Sequence, residues 1–163
     1  MLIFSIITAI LLTIGCRSQT LVRENQNSPV KIQSVSDSDN SEFLTKQLFL
    51  AKIMDFEKNP DKWIYKGKLP CIIDFYADWC RPCKISSPIL EELANEYRGR
   101  IKVYKVNVDL EKDLAAAFGV QSIPSFLFIP LKEKPAMMAG IAQTSEETKQ
   151  MFRKQIEDIL LKE

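Results

Sequence analysis

The sequence predicts an α/β fold, a central mixed β-sheet flanked by helices, over residues 41–163. Its apolar residues switch between alternating and helical spacing in the order βαβαβαββα. Asn59-Pro60, Gly99 and Gly119 punctuate the runs. Two thiols, Cys80 and Cys83, stand two residues apart where a strand gives way to a helix.

Glu42-Phe43-Leu44 reads as a short first strand. Thr45 is the N-cap of a helix over Lys46–Lys58, with Leu48, Phe49, Ala51, Ile53 and Phe56 on its apolar side. Cys71–Tyr76 is a β-rich run long enough for a buried strand. The next helix carries Ile85, Ile89, Leu90, Leu93, Ala94 and Tyr97 on one stripe and stops at Gly99. Residues 101–108 alternate as a strand, and Glu111–Phe118 is a short helix closed by Gly119. Ser125–Ile129 and Ala136–Met138 form an antiparallel pair about the polar turn Leu131–Pro135. Thr144, with Glu147 three residues on, opens a final helix through a capping box. Its buried stripe is Met151, Phe152, Ile156, Ile159 and Leu160.

Composition narrows the function. A chain of 163 residues holds one compact domain and a short appendage. Its net charge of +1 offers no basic stripe for nucleic acid. With no histidine, Ser-His and Cys-His catalysis and His-ligated metals are excluded, so sulfurs and carboxylates must carry the chemistry. A single Cys-x-x-Cys supplies two of the usual four metal ligands, so no metal is expected.

The four cysteines divide by position. Cys80, at a helix N-terminus, is placed where unpaired N–H groups and the helix dipole favour a thiolate. Cys83, one turn further in, is the more buried partner, and the two have the layout of a dithiol–disulfide exchanger. Cys71 opens the preceding strand and reads as a packed, buried thiol. Cys16 ends an apolar run and belongs with targeting.

Residues 1–15 are too few for a comfortable membrane span, which needs about 20 apolar residues. With Cys16 they fit a secretory signal peptide, residues 1–16, and Gly15-Cys16 resembles a bacterial lipobox whose cysteine is lipidated. Thr13 stands where that motif usually has leucine, and no Lys or Arg precedes the apolar run. An uncleaved N-terminal anchor would tether the domain similarly. Residues 17–40 are polar and aperiodic, a flexible linker with a mean reach of roughly 25–30 Å.

Beyond the cysteine pair, the chain resembles the thioredoxin family. Asp74-Phe75-Tyr76-Ala77-Asp78-Trp79-Cys80-Arg81-Pro82-Cys83-Lys84 is similar to its active-site segment, with Arg81 where glycine is usual. Pro88 falls where such proteins kink the active-site helix, and Ser122-Ile123-Pro124-Ser125 resembles the family's cis-proline turn. Gly140 matches a glycine lining the substrate groove, and the likeness runs from about Ser41 to Leu161. Pro124 lies 44 positions after Cys80, leaving no room for the insertion found in several exported relatives.

The resemblance implies a thioredoxin-like fold and a thiol–disulfide oxidoreductase with no cofactor beyond the Cys80–Cys83 disulfide. Cys80 is the nucleophile and Cys83 the resolving thiol. Pro82 stiffens the turn between them, and Arg81 adds a permanent positive charge that would make the pair more oxidising. Asp74 matches a buried carboxylate beneath the pair, with a pKa raised by desolvation, that would take the proton from Cys83. Lys105 matches the lysine that partners this acid, although the alternation along 101–108 leaves its direction open. Pro124 is expected cis, with the backbone of Ile123 pairing with an extended substrate. Trp79, Ile123, Gly140 and Ile141 complete an apolar docking surface.

The expected partners are disulfide-containing exported proteins and a membrane electron-transfer protein that recharges the enzyme. The expected setting is the bacterial periplasm or cell envelope, with the chain a monomer held at the membrane by its N-terminal lipid or anchor. Reduction of substrate disulfides is the first reading. Oxidation or isomerisation is the alternative, and a redox-inactive binding module the reading from another class.

Overall fold

The computed structural model describes residues 41–162. The expected signal peptide, Cys16 and the 17–40 linker lie outside the described residues. Five strands form one mixed sheet in the order β1-β3-β2-β4-β5. They are β1 (Ser41–Phe43), β2 (Cys71–Tyr76), β3 (Lys102–Asn107), β4 (Ser125–Ile129) and β5 (Ala136–Ala139). β1, β3 and β2 run parallel, and β4 and β5 are antiparallel to their neighbours. The helices are α1 (Lys46–Lys52), α2 (Cys83–Glu96), α3 (Lys112–Ala117) and α4 (Ser145–Gln155), which continues as a wide turn over Ile156–Leu160. This is the α/β architecture and element order that the sequence predicts.

Strand alternation sorts the core into two layers. Cys71, Ile73 and Phe75 of β2 face one way with Tyr104, Val106, Leu127 and Ile129, and meet Phe49, Ile53 and Leu114 from the α1 and α3 side. Ile72 faces the other way with Val103, Phe126 and Phe128, beneath Leu90 and Leu93 of α2 and Phe152 and Ile156 of α4. β2 is central and buried on both faces, which is why it reads as an unbroken apolar run around one acid, Asp74.

Element ends depart from expectation in particular places. α1 stops at Lys52 rather than Lys58. The N–H of Met54 reaches back five residues to the Phe49 carbonyl at 3.2 Å, and Asp55 then organises a separate turn through the N–H groups of Lys58 and Asn59. Breaking the helix returns Met54 to the core and packs the Phe56 ring 5.8 Å from that of Phe49. β1 lies one residue earlier than expected, with the Leu44 N–H still donating to the Lys105 carbonyl at 2.8 Å. α4 begins as expected, with both halves of the Thr144–Glu147 capping box formed. No helix among the described residues is long and apolar enough to cross a membrane.

Candidate active site

β2 delivers the chain to a tight turn, Ala77 to Cys80, closed by the Cys80 N–H on the Ala77 carbonyl at 3.1 Å. Cys80 and Cys83 are joined as a disulfide with Cα atoms 5.3 Å apart. Pro82, with φ −61° and ψ −32°, is already helical, and α2 starts at Cys83. No side chain caps this helix in the ordinary way. The Cys83 N–H instead points at Cys80 Sγ, 3.2 Å away, and the Lys84 N–H lies 3.3 Å from the Cys80 carbonyl. The sulfur thus occupies the position of an N-cap acceptor, where a thiolate released by reduction would be stabilised.

Both cysteines are enclosed, Cys80 at 3% exposure and Cys83 at 2%, against Ala77, Tyr76, Val108 and Ile123. Burial barely separates the pair, and their different places on the helix are what distinguish them. Arg81 and Pro82 are exposed between them.

Asp74 shares the face of β2 that lies under α2, and is completely buried. Its Oδ2 accepts a 2.8 Å hydrogen bond from the Ser87 hydroxyl, while Oδ1 has no hydrogen-bond partner among the described residues. Burial pushes the Asp74 pKa up to about 6; the Ser87 hydrogen bond and the Lys105 charge oppose the rise, and Glu91 adds to it. Lys105 pairs in register with Asp74 across β2 and β3, and lies on the same side as Val103, which resolves its direction. Its ammonium nevertheless makes its ion pair with Glu91, Nζ to Oε1 at 3.0 Å, so its influence on Asp74 is through space. The rings of Phe43 and Tyr76 flank it, with centroids 5.8 and 5.3 Å from Nζ.

A cavity of about 310 Å³ opens beside the pair, lined by Tyr76, Cys83, Lys84, Ser87, Glu91 and Lys105 among others. The lining is more apolar than polar, but the cavity is large enough for water and brings Lys84, Ser87, Glu91 and Lys105 beside Cys83.

Beside the cysteines, the Ile123–Pro124 peptide is cis. The buried Pro124 accepts the Gly140 N–H on its carbonyl at 2.8 Å, and Gly140 adopts φ +81°. Ile123 packs on the cysteines, whereas Ile141 packs partly into the α2/α4 layer. Trp79 is 67% exposed, and its indole N–H donates to Asp109 Oδ2 at 2.9 Å.

Sequence reasoning did not single out Ser87, Glu91 or Asp109. The first two were visible as spacing, because Cys83, Ser87 and Glu91 recur every four residues and share one face of α2. Nothing local marks Asp109, which lies 30 positions from Trp79. Cys71 is the packed thiol expected, on the other face of the sheet from Asp74, with the Tyr65 hydroxyl 3.3 Å from its sulfur. Burial raises its pKa to about 12. Among the described residues no group of three or more His, Cys, Asp or Glu could hold a metal ion.

The Thioredoxin family model matches residues 52–156. The chain is 48% identical to the thioredoxin of Borreliella burgdorferi over 100 residues, which are 61% of this chain and 85% of that one. It is 42% identical to the thioredoxin of Haemophilus influenzae over 77 residues, 47% of this chain and 72% of the other. It is also 51% identical to thioredoxin 1 of Chlorobaculum tepidum over 67 residues, 41% and 66% of the two chains. The helix-capping disulfide, the buried acid beside it and these likenesses agree: the chain belongs to the thioredoxin family and is a thiol–disulfide oxidoreductase working through Cys80 and Cys83 without a bound cofactor.

Proposed function

We propose that this protein reduces disulfides of exported proteins in the bacterial cell envelope, with its domain held at the membrane through Cys16. The observation that carries the chemistry is the Cys80 sulfur accepting the first free N–H of α2 above a buried, partly unsatisfied Asp74. In the reduced enzyme the Cys80 thiolate attacks one substrate sulfur, forming a mixed disulfide and expelling the other as a thiolate. Asp74 takes the proton of Cys83, through water in the adjoining cavity or directly. The Cys83 thiolate then attacks Cys80 Sγ, closing the Cys80–Cys83 disulfide and releasing the second substrate thiolate. Two electrons pass from the pair to the substrate. A membrane electron-transfer protein must return them, since the apolar run ending at Gly15-Cys16 supports placement outside the cytosol.

Substrate docking follows the surface beside the cysteines. Ile123, beside the disulfide, would offer its backbone to an extended segment, with Pro124 and Gly140 shaping the groove and Trp79 closing one side. Ile141, partly drawn into the core, would contribute less. Arg81 favours the opposing reading, oxidation or isomerisation, because a fixed positive charge beside Cys80 stabilises the reduced form. Its exposure screens that effect.

The deciding measurement is the reduction potential of the Cys80–Cys83 pair in the detergent-solubilised full chain, equilibrated with glutathione or dithiothreitol. A value near −270 mV, about that of thioredoxin, supports the reductase. A value near −120 mV, about that of the strong periplasmic oxidant, moves the enzyme to disulfide formation, and absence of a reversible disulfide sinks both. Placement is tested by fatty-acid labelling and membrane fractionation, which Cys16→Ser should abolish together.

A further inference from the structure

Ser86 and Ser87 are adjacent on α2, yet their hydroxyls go to different places. The buried Ser86 hydroxyl turns back to the Cys83 carbonyl at 3.3 Å, as helical serines commonly do. The Ser87 hydroxyl leaves its own helix and donates to Asp74 Oδ2 on β2 at 2.8 Å. That contact spans 13 residues and joins the helix carrying the resolving thiol to the strand carrying the buried acid. Ser87 lies one turn beyond Cys83, and both line the same cavity.

A hydroxyl has one proton to give. While Ser87 gives it to Oδ2, that oxygen is the better-stabilised seat of negative charge, and a proton arriving there would weaken the hydrogen bond. Oδ1 has no hydrogen-bond partner among the described residues and is open to receive one. The other groups facing the acid do not make this choice. Lys105 of β3 is paired with Glu91 of α2, and the β4 residue in register with Asp74 is the apolar Phe126. Tyr76, at the end of the same strand, feels Asp74 only through its charge.

We propose that Ser87 is a positioning residue for the resolving half of the exchange: its hydroxyl occupies Oδ2 of Asp74 and reserves Oδ1 as the oxygen that takes the proton of Cys83. The step balances. The S–H bond of Cys83 breaks, an O–H bond forms at Oδ1, and the resulting thiolate displaces the outgoing substrate thiolate from Cys80. The inference rests on the reading of Asp74 as the proton acceptor.

The test uses the reduced full chain in detergent and an aromatic disulfide whose released thiolate is coloured. The first equivalent released reports attack by Cys80 and the second reports resolution by Cys83. Wild type, Ser87→Ala and Asp74→Asn are compared across pH, together with Ser87→Thr and Ser87→Val, which match each other in size and differ in the hydroxyl. Ser87→Ala should leave the first phase unchanged and move the pH midpoint of the second up by about one pH unit. Below the wild-type midpoint this slows the second phase by about tenfold. Ser87→Thr should keep the wild-type profile and Ser87→Val lose it, so the Thr/Val pair decides the matter even if the alanine variant folds poorly. A slowed second phase in Asp74→Asn with an unmoved midpoint in Ser87→Ala and Ser87→Val overturns the role of Ser87 alone. An unchanged second phase in Asp74→Asn overturns the role of the acid, and the positioning role with it.

Discussion

Lys105 and Asp74 are register partners on adjacent parallel strands, yet the Lys105 ammonium makes its ion pair with Glu91, 3.0 Å away on α2. Glu91 therefore acts on the buried acid twice, as a nearby negative charge and as the group that holds the lysine away from Asp74. Glu91→Gln removes both effects. The Asp74 titration, followed by its carboxyl infrared band, should move down by about half to one pH unit. Lys105→Met should move it up. Equal midpoints in the two variants would show that the pair does not tune the acid.

The proton held by Asp74 makes stability depend on pH. Its folded pKa is raised from the ordinary 3.8 to about 6, so between about pH 4 and 6 the folded chain keeps a proton that the unfolded chain has released. The benefit is fully present below about pH 4 and is lost as pH rises through about 6. At neutral pH the ionised, buried carboxylate then costs about 3 kcal/mol relative to an unshifted acid. Asp74→Asn should be the more stable protein in urea at pH 7 to 8, by up to about that amount. The gap should close below about pH 4, and a gap that is constant with pH contradicts the buried-acid account.

Trp79 is exposed but not loose, because Asp109 holds its indole N–H. Asp109→Ala frees the ring without opening the core, so stability should change by no more than about 0.5 kcal/mol. Ordering the ring on docking then becomes a cost of binding. The KM for a protein disulfide should rise about two- to fivefold, with kcat nearly unchanged. A fall in kcat at constant KM would instead place Trp79 in the chemical step.

Cys71 should be inert while the protein is folded. It is fully buried, its pKa is pushed up to about 12, and Tyr65 sits over its sulfur while donating to the Leu69 carbonyl at 2.6 Å. Alkylation of the reduced native chain should mark Cys80 and spare Cys71 until the fold is broken. Gly67 provides the control, since a Cβ there would meet the Tyr65 hydroxyl oxygen at 2.2 Å. Gly67→Ala should displace the ring, cost about 1–3 kcal/mol and expose Cys71 to the reagent. Continued protection of Cys71 would mean that Tyr65 is not its cover.

Legibility in the sequence varied with the range of the interaction responsible. β2 and β4 were readable to the residue because strands buried on both faces need continuous apolar side chains. Thr144 and Glu147 announced α4 because a capping box is closed within four residues. The predicted helix runs past α1 because the apolar spacing of Ile53 and Phe56 continues beyond Lys52, where the helix ends and Met54 turns into the core.

At the site, Cys80, Cys83, Asp74 and Pro124 followed from local pattern and family resemblance. By itself the sequence determined the element order, the redox pair at the head of a helix and the acid within a buried strand, since each follows from neighbours a few residues apart. Only the tertiary structure decided that Ser87 serves Asp74, that Glu91 takes Lys105 and that Asp109 holds Trp79. Those pairs are separated by 13, 14 and 30 residues, and their meeting depends on strand register and on how α2 and the loop after β3 sit against the sheet. Hydrogen bonds reach only about 3 Å, so partner choice is made by packing, which no local spacing encodes.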